Sequence, residues 1–587
     1  MYFKNRESNY EKFPYTRIHG YDDEAFNGYS NIVMELKKQI KAENKDKVVM
    51  VIDYYHGVRK AEIEENLIQQ LNPDEIIFCE DAKLPENILY PKLKRNITDD
   101  RVFGVLSVHK LSEFFNLEKL ELLKNRVKNA EGKLVLVYGV GASLVTRGDI
   151  LIYGDLSRRE IELRYQTNEL DNWGVRNFEE DYLRKYKRAY FIEWRVFDRH
   201  KMDMFEDIDY LIDTNKDNRP NMITGMALQE GIKQIAKQPF RLVPYFEEGI
   251  WGGRWMEEVC DLERDKNNLA WCFDGIPEEN AVHLKFNEVT VEIPCINIVL
   301  REPDLLLGAK VHARFGTEFP IRFDFLDTMG GGNLSLQVHP LTEYIQDNFG
   351  MHYTQDESYY ILDAKEDACV YLGVKEGIKE EMLIPALEEA QKNGEFDDTK
   401  YINKFPIKKH DHVLIPAGTI HCSGKNAMVL EISATPYIFT MKLWDWGRVG
   451  LDGKPRPINI NHGAKAIQFD RTEKWVKQNL LNRVDIVEED EDKKVEKTGL
   501  HELEFIETRR YWFDKRICIN CHESVNMLNL VEGEEAIITS SNEDFEPFVV
   551  HYAETFIIPE SVKAYGIAPY GKSLGKKVAV IQARVRV

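Results

Sequence analysis

The feature that most constrains this chain is a change of texture near residue 237. Before it, long apolar runs alternate with helical patterns: Val48–Asp53, Glu75–Asp81, Lys133–Gly139, Asp149–Asp155, Arg188–Trp194 and Asp207–Asp213 read as strands, with helices such as Ala61–Leu71 among them. Continuous apolar runs separated by helices predict a mainly parallel sheet covered on both faces. After it, short strands, turns and aromatic residues dominate, interrupted by one helix around Lys379–Gly394. That pattern predicts antiparallel β-structure of jelly-roll type. The expected fold is therefore multidomain. An α/β domain spans 1–236, a first β jelly roll 237–483, an acidic linker 484–499 and a second jelly roll 500–587.

A chain of 587 residues is too long for one ordinary domain, and 43% hydrophobic residues suffice for several cores. The formal charge of −21 supplies no basic excess to displace counterions from phosphates, so nucleic acid is not an expected partner. No run is apolar enough for a membrane span, and MYFKNRESNYEKF has no signal-peptide core. The expected location is the cytoplasm, where the eight cysteines stay reduced.

Chemistry concentrates in the run LSLQVHP, Leu334–Pro340. Residues two apart on a strand face the same side, so Gln337 and His339 point together. Downstream, QDESYYIL carries Glu357 at a strand start. LIPAGTIH turns tightly at Pro416, Ala417 and Gly418 before His421, and LEI places Glu431 ten residues further on. Gln337, His339, Glu357 and His421 offer two imidazoles, a carboxylate and an amide oxygen. That set suits one Zn²⁺ per chain with a position left for water or substrate. Two histidines and one carboxylate also describe a non-haem iron triad, so iron remains open on the residues alone.

LSLQVHP, ESYYIL, YLGVKEG, LIPAGTIH, LEI and LWDWGRVGLDGKPRP together resemble the class I mannose-6-phosphate isomerases of bacteria, and IWGGRWM, Ile250–Met256, resembles that family's early Trp-Gly element. The resemblance covers roughly residues 240 to 587. It implies a zinc-bearing cupin that interconverts mannose 6-phosphate and fructose 6-phosphate, with Gln337, His339, Glu357 and His421 as zinc ligands. The reaction moves a proton between C1 and C2 through an enediol, which needs a base within reach and positive charge nearby. Glu431 is the candidate acid/base, although it reads equally as a buried glutamate satisfied by its neighbours. In TMKLWDWGR, Lys442 stands where the family carries arginine, and Arg448 follows six residues later. Either is a candidate to hold the substrate phosphate or stabilise charge.

Two departures bear on the substrate. Asp324 stands where the family has a lysine before the Gln-x-His strand, with Arg322 on the same face as a possible substitute. Gln355 stands where the family has a second lysine. The alternatives are an isomerase of another sugar phosphate and a sugar-phosphate sensor that retains the metal without turnover.

Other motifs carry less. CINCH, Cys518–His522, has haem-attachment spacing but reads as an ordinary strand in a chain without an export signal. VVMVIDYYHGVRKAEI has the strand–loop–helix layout of a phosphate-binding loop without its Gly-x-x-x-x-Gly-Lys-Ser/Thr pattern. With YFIEWRVFDRHK, it resembles a nucleoside-kinase-like P-loop domain lacking its nucleotide machinery, so a scaffold or regulatory role is expected and no bound nucleotide. Around HYAETFIIPESVKAYGI no ligand set is visible, so the last jelly roll is expected to be metal-free.

Overall fold

Five of the six apolar runs of the first third pair side by side. In this computed structural model, which describes residues 7–434, 437–451, 453, 456, 458–499 and 501–587, they form a seven-stranded sheet. Glu75–Phe78, Leu134–Gly139, Val48–Tyr54, Ile150–Asp155 and Tyr210–Asp213 run parallel in that spatial order. Asn221–Thr224 and Ala25–Asn27 complete it antiparallel. Val51, Ile52, Val137 and Ile152 are fully buried, as strands covered on both faces require.

The chain divides into two compact units. One comprises Tyr15–Ile235 and Ala281–Arg301; the other Met1–Pro14, Ala236–Asn280 and Glu302–Val587. The returning segment supplies a hairpin, Ala281–Phe286 with Val289–Pro294, joined in a three-stranded sheet by Thr16–Arg17. Its following helix, Ile296–Arg301, puts Asn297 Nδ2 3.0 Å from the buried Asp155 carboxylate. Buried polar groups need such partners, and this one comes from far along the chain.

The second unit is built from two pairs of sheets. In the first pair, a six-stranded sheet runs in the order His412–Ile415, Asp356–Ala364, Ala427–Ala434, Arg322–Asp327, Trp271–Gly275, Tyr245–Glu247. A five-stranded sheet runs Ile402–Pro406, Cys369–Val374, His421–Ser423, Leu336–Val338, Met441–Trp444. The second pair has a six-stranded sheet containing Ile506–Phe513, Asn526–Glu532 and Val578–Val585, and a four-stranded sheet containing Ile517–Asn520 and Glu535–Ser540. Tyr511, Phe513, Leu528 and Val580 of one sheet share a core with Ile519, Ile538, Val550 and Ile567 of the other. The helix expected around Lys379–Gly394 spans Glu380–Asn393 and ends at Gly394 in the left-handed conformation.

Two sequence expectations are corrected. The stretch 484–499, read as a linker, is a β-hairpin of Asp485–Glu489 and Lys493–Gly499 at the edge of a sheet. Its charges are matched rather than merely solvated: Glu496 meets Arg510 at 2.7 Å on the next strand, while Val495 is buried in the core. Arg188–Trp194, read as a strand, is helical from Tyr182 to Met204, passing through a π-turn at Ala189–Glu193. Asp181 caps its start by accepting from Leu183 N. An apolar run buried on every side has no period to separate helix from strand.

All eight cysteines are free thiols. Around CINCH, Ile517 and Ile519 are buried strand residues while Cys518 is exposed, the alternation of an ordinary half-buried strand. No helix among the described residues is long and apolar enough to cross a membrane.

Candidate metal centre

The first sheet pair of the β unit brings its chemistry together by register. Across the five-stranded sheet, Gln337 lies opposite His421 on one side and Lys442 on the other. Directly opposed residues share a face, so an amide, an imidazole and an ammonium form one row, with His339 just beyond the strand end. Across the six-stranded sheet, Glu357 lies opposite Ser433, and Ser433 opposite Arg322. The next row on that face is Tyr359, Glu431 and Asp324.

The two rows meet at Glu357. His339 Nε2 lies 3.0 Å from Glu357 Oε2, and His421 Nε2 lies 2.7 Å from Oε1. The potential ligand atoms of these three residues fall within 4.8 Å of one another. All three side chains are fully buried. Gln337 Nε2 is 3.3 Å from His421 Nε2, so its amide reaches the same point.

The rings are aimed from behind. His339 Nδ1 sits 3.0 Å from the Phe439 carbonyl, and His421 Nδ1 sits 2.9 Å from the Thr419 carbonyl. A ring that donates from Nδ1 presents the Nε2 lone pair on its other side, the arrangement of a metal-binding histidine with its outer partner. Here both lone pairs face carboxylate oxygens, and His339 Nε2 and Glu357 Oε1 make no hydrogen bond of acceptable geometry. Acceptors facing acceptors in a buried site demand a positive charge between them. Protons or a metal cation both satisfy that demand, and the N₂O donor set with an adjacent amide suits a divalent metal. Burial raises the pKa of Glu357, but the facing imidazoles outweigh it and hold the carboxyl well below its usual range. Burial depresses His339, and the Glu357 charge outweighs that to raise it.

The local sequence explains the placement. Gly418 adopts φ +88, where a Cβ would meet Gln468 Cγ at 2.5 Å, so the turn before His421 requires glycine. Gly418 N donates to the His339 carbonyl at 2.8 Å, and Ala417 N donates to Asp356 Oδ1 at 2.8 Å. The turn is thereby tied to both neighbouring ligand segments.

Glu431 is buried and directly opposite Asp324. Burial, then the charges of Asp324 and Glu357, push its pKa well up. Asp324 itself is pushed up to about 7, chiefly by burial. Arg322 does not point a free guanidinium into the site: it is buried between Glu279 and Asp324, each at 3.6 Å. Arg448 is held by Asp445 at 2.5 Å rather than by the His339–Glu357–His421 cluster. Lys442 is half-buried beside Gln337.

The residue that sequence reasoning left without a role is Gln355. It is buried, and it contacts Glu357 rather than opening toward a ligand. Nothing in the sequence signalled its second partner, the backbone of Phe439.

In the α/β unit, the C-terminal ends of the parallel strands are occupied by the protein's own charges. Asp53 accepts from Gly141 N and Ser143 N, both at 2.9 Å, and from Ser143 Oγ at 2.6 Å, and faces His200 at 2.9 Å. Asp155 pairs with Lys201 at 3.0 Å. Lys60, at the start of the helix after Val48–Tyr54, lies 3.7 Å over the Phe78 ring. Backbone N–H groups that would cradle an anion already hold a carboxylate.

Residues 28–237 match a family described as "Domain of unknown function (DUF8485)". The chain is 26% identical over 239 residues to mannose-6-phosphate isomerase ManA of Bacillus subtilis, covering 40% of this chain and 69% of that protein. It is 26% identical over 236 residues to the mannose-6-phosphate isomerase of Streptococcus mutans, covering 40% and 69%. The crystal structure of mannose 6-phosphate isomerase from Bacillus subtilis aligns over 59% of this chain and 100% of that one, with 19% identity and a TM-score of 0.47.

Proposed function

We propose, from the similarity to mannose-6-phosphate isomerases, that this protein is a metal-dependent aldose–ketose isomerase acting on a sugar phosphate, with mannose 6-phosphate and fructose 6-phosphate as the pair to test first. The observation that carries this reading is the convergence of His339, Glu357 and His421 with their polar atoms aimed at one point. These three, with Gln337, would hold the ion; zinc is the proposed metal. When bound, it would supply Lewis-acid polarisation of the sugar oxygens.

The remaining work falls to side chains of the same rows. Glu431 is the proposed acid/base. Its burial beside Asp324 and Glu357 raises its affinity for a proton, and a carboxyl that holds a proton more readily suits transfer between C1 and C2. Lys442, across from Gln337 and half-exposed, is proposed to bind the phosphate. Arg448, shared with Asp445, is proposed as a secondary source of positive charge. Asp324 and Gln355, both buried where the resembling family has lysines, favour a second reading in which the preferred sugar phosphate is a different one. The α/β unit is proposed as a scaffold or regulatory domain without nucleotide chemistry, because its own carboxylate fills its backbone cradle.

The test is a coupled assay of the purified full chain with mannose 6-phosphate, with and without a chelator. Chelator-sensitive formation of fructose 6-phosphate supports both substrate and metal. No turnover by metal-replete protein rejects this substrate. Lys442→Ala is expected to raise KM for the sugar phosphate about tenfold or more, the loss of a charge-assisted hydrogen bond of about 1.5–3 kcal/mol, while metal content stays at the wild-type level. Loss of metal in that variant would reassign Lys442 to the centre itself.

A further inference from the structure

Gln355 closes a circuit around the centre. Its Nε2 donates to Glu357 Oε2 at 3.0 Å, and its Oε1 accepts from Phe439 N at 3.0 Å. The carbonyl of the same Phe439 accepts from His339 Nδ1 at 3.0 Å. His339 and Glu357 then approach each other across the site at 3.0 Å. One buried amide thus links the carboxylate on one sheet to the backbone group that aims the imidazole on the other. The amide's orientation follows from its partners: only Oε1 can accept the Phe439 N–H, and only Nε2 can donate to a carboxylate.

We infer that Gln355 is a positioning residue for the metal centre, locking Glu357 and His339 into one geometry through the Phe439 backbone. The inference rests on the metal-centre part of the proposed function. A lysine at this position has donors and no acceptor, so it would leave Phe439 N–H without this partner. It would also bring a positive charge against the carboxylate meant for the cation. A neutral amide holds the carboxylate in place and leaves its charge available to the ion. The glutamine therefore supplies a rigid link between the two side chains. Outer partners of this kind set ligand orientation, and their loss typically costs about 10–100-fold in metal affinity.

The experiment compares wild-type protein with Gln355→Met, which keeps the volume and removes both hydrogen bonds, and Gln355→Asn, whose shorter arm keeps the groups but reaches one partner. Two quantities are read: Zn²⁺ affinity by chelator competition, and the visible spectrum of the Co²⁺-substituted protein, which reports ligand geometry. Gln355→Met is expected to bind Zn²⁺ about 10–100-fold more weakly, with an altered Co²⁺ spectrum, and Gln355→Asn to fall between it and wild type. If Gln355→Met does not fold, the Asn variant carries the test by the same two readings. Wild-type affinity and an unchanged spectrum in the folded variants would overturn the positioning role while leaving the metal centre standing. A wild-type protein that binds neither Zn²⁺ nor Co²⁺ would overturn the centre and this inference together.

Discussion

His421→Ala is expected to yield a folded protein without stoichiometric metal and without measurable isomerase turnover. His421 supplies one of the two imidazole nitrogens that face Glu357, and its Nε2 lies 2.7 Å from that carboxylate. Loss of an outer partner already costs about 10–100-fold in metal affinity, so removal of the ligand itself is expected to cost more. The same substitution leaves Glu357 buried with one fewer source of positive charge. Its pKa is therefore expected to rise. The fold should persist, because the turn before His421 is held by Gly418 N on the His339 carbonyl and by Ala417 N on Asp356, neither of which involves the imidazole. Metal analysis after dialysis, circular dichroism and the coupled assay together check this. Wild-type metal content in folded His421→Ala would refute the ligand assignment.

The second large effect is on stability. Arg241→Ala is expected to destabilise the β unit by about 3–5 kcal/mol, the usual cost of stripping one partner from a buried ionic cluster. Arg241 is 3% exposed; its Nη1 meets Glu554 Oε1 at 2.7 Å and its Nη2 lies 3.6 Å from Asp274 Oδ1. It also donates to the carbonyls of Thr555 and Glu11. These contacts tie the first sheet pair, through the Trp271–Gly275 strand, to the second, through Glu554 and Thr555. Without the guanidinium, two buried carboxylates remain with no shared cation.

That loss should depend on pH, with a definite sign. Burial already pushes Asp274 up to about 6 even with Arg241 present. Removing Arg241 raises the folded-state pKa further above its unfolded value. A carboxyl with a raised folded pKa favours the folded state where it is protonated, and that contribution disappears as pH rises through the folded pKa. The deficit of Arg241→Ala is therefore expected to be larger at pH 8 than at pH 5.5. Denaturant unfolding at the two pH values checks both size and sign; equal deficits would show that the carboxylates are not the origin.

Part of the convergence at His339, Glu357 and His421 was legible before any coordinates. The period of two in LSLQVHP put Gln337 and His339 on one face. The glycine turn before His421 was legible because a left-handed φ restricts the residue choice. Apolar runs separated by helices announced the parallel sheet, since only strands buried on both faces lack alternation. These are local consequences of backbone geometry, and a sequence carries them residue by residue.

What the tertiary structure alone decided lies in contacts between distant segments. Asn297 reaches Asp155 across 142 positions, and Arg241 reaches Glu554 across more than half the chain. The acidic run 484–499 became a hairpin because Glu496 found Arg510 and Val495 found a core, neither visible in its own composition. Arg188–Trp194 is helical, and complete burial erased the period that would have identified it. Arg322 was drawn into a cluster with Glu279 and Asp324 instead of replacing a lysine. Gln355 met Phe439 through a backbone N–H, a group every residue but proline has and no side-chain pattern reveals. The sequence by itself determined which side chains share a face; only the folded protein decided which faces meet, because that choice minimises buried charge and apolar exposure over the whole chain at once.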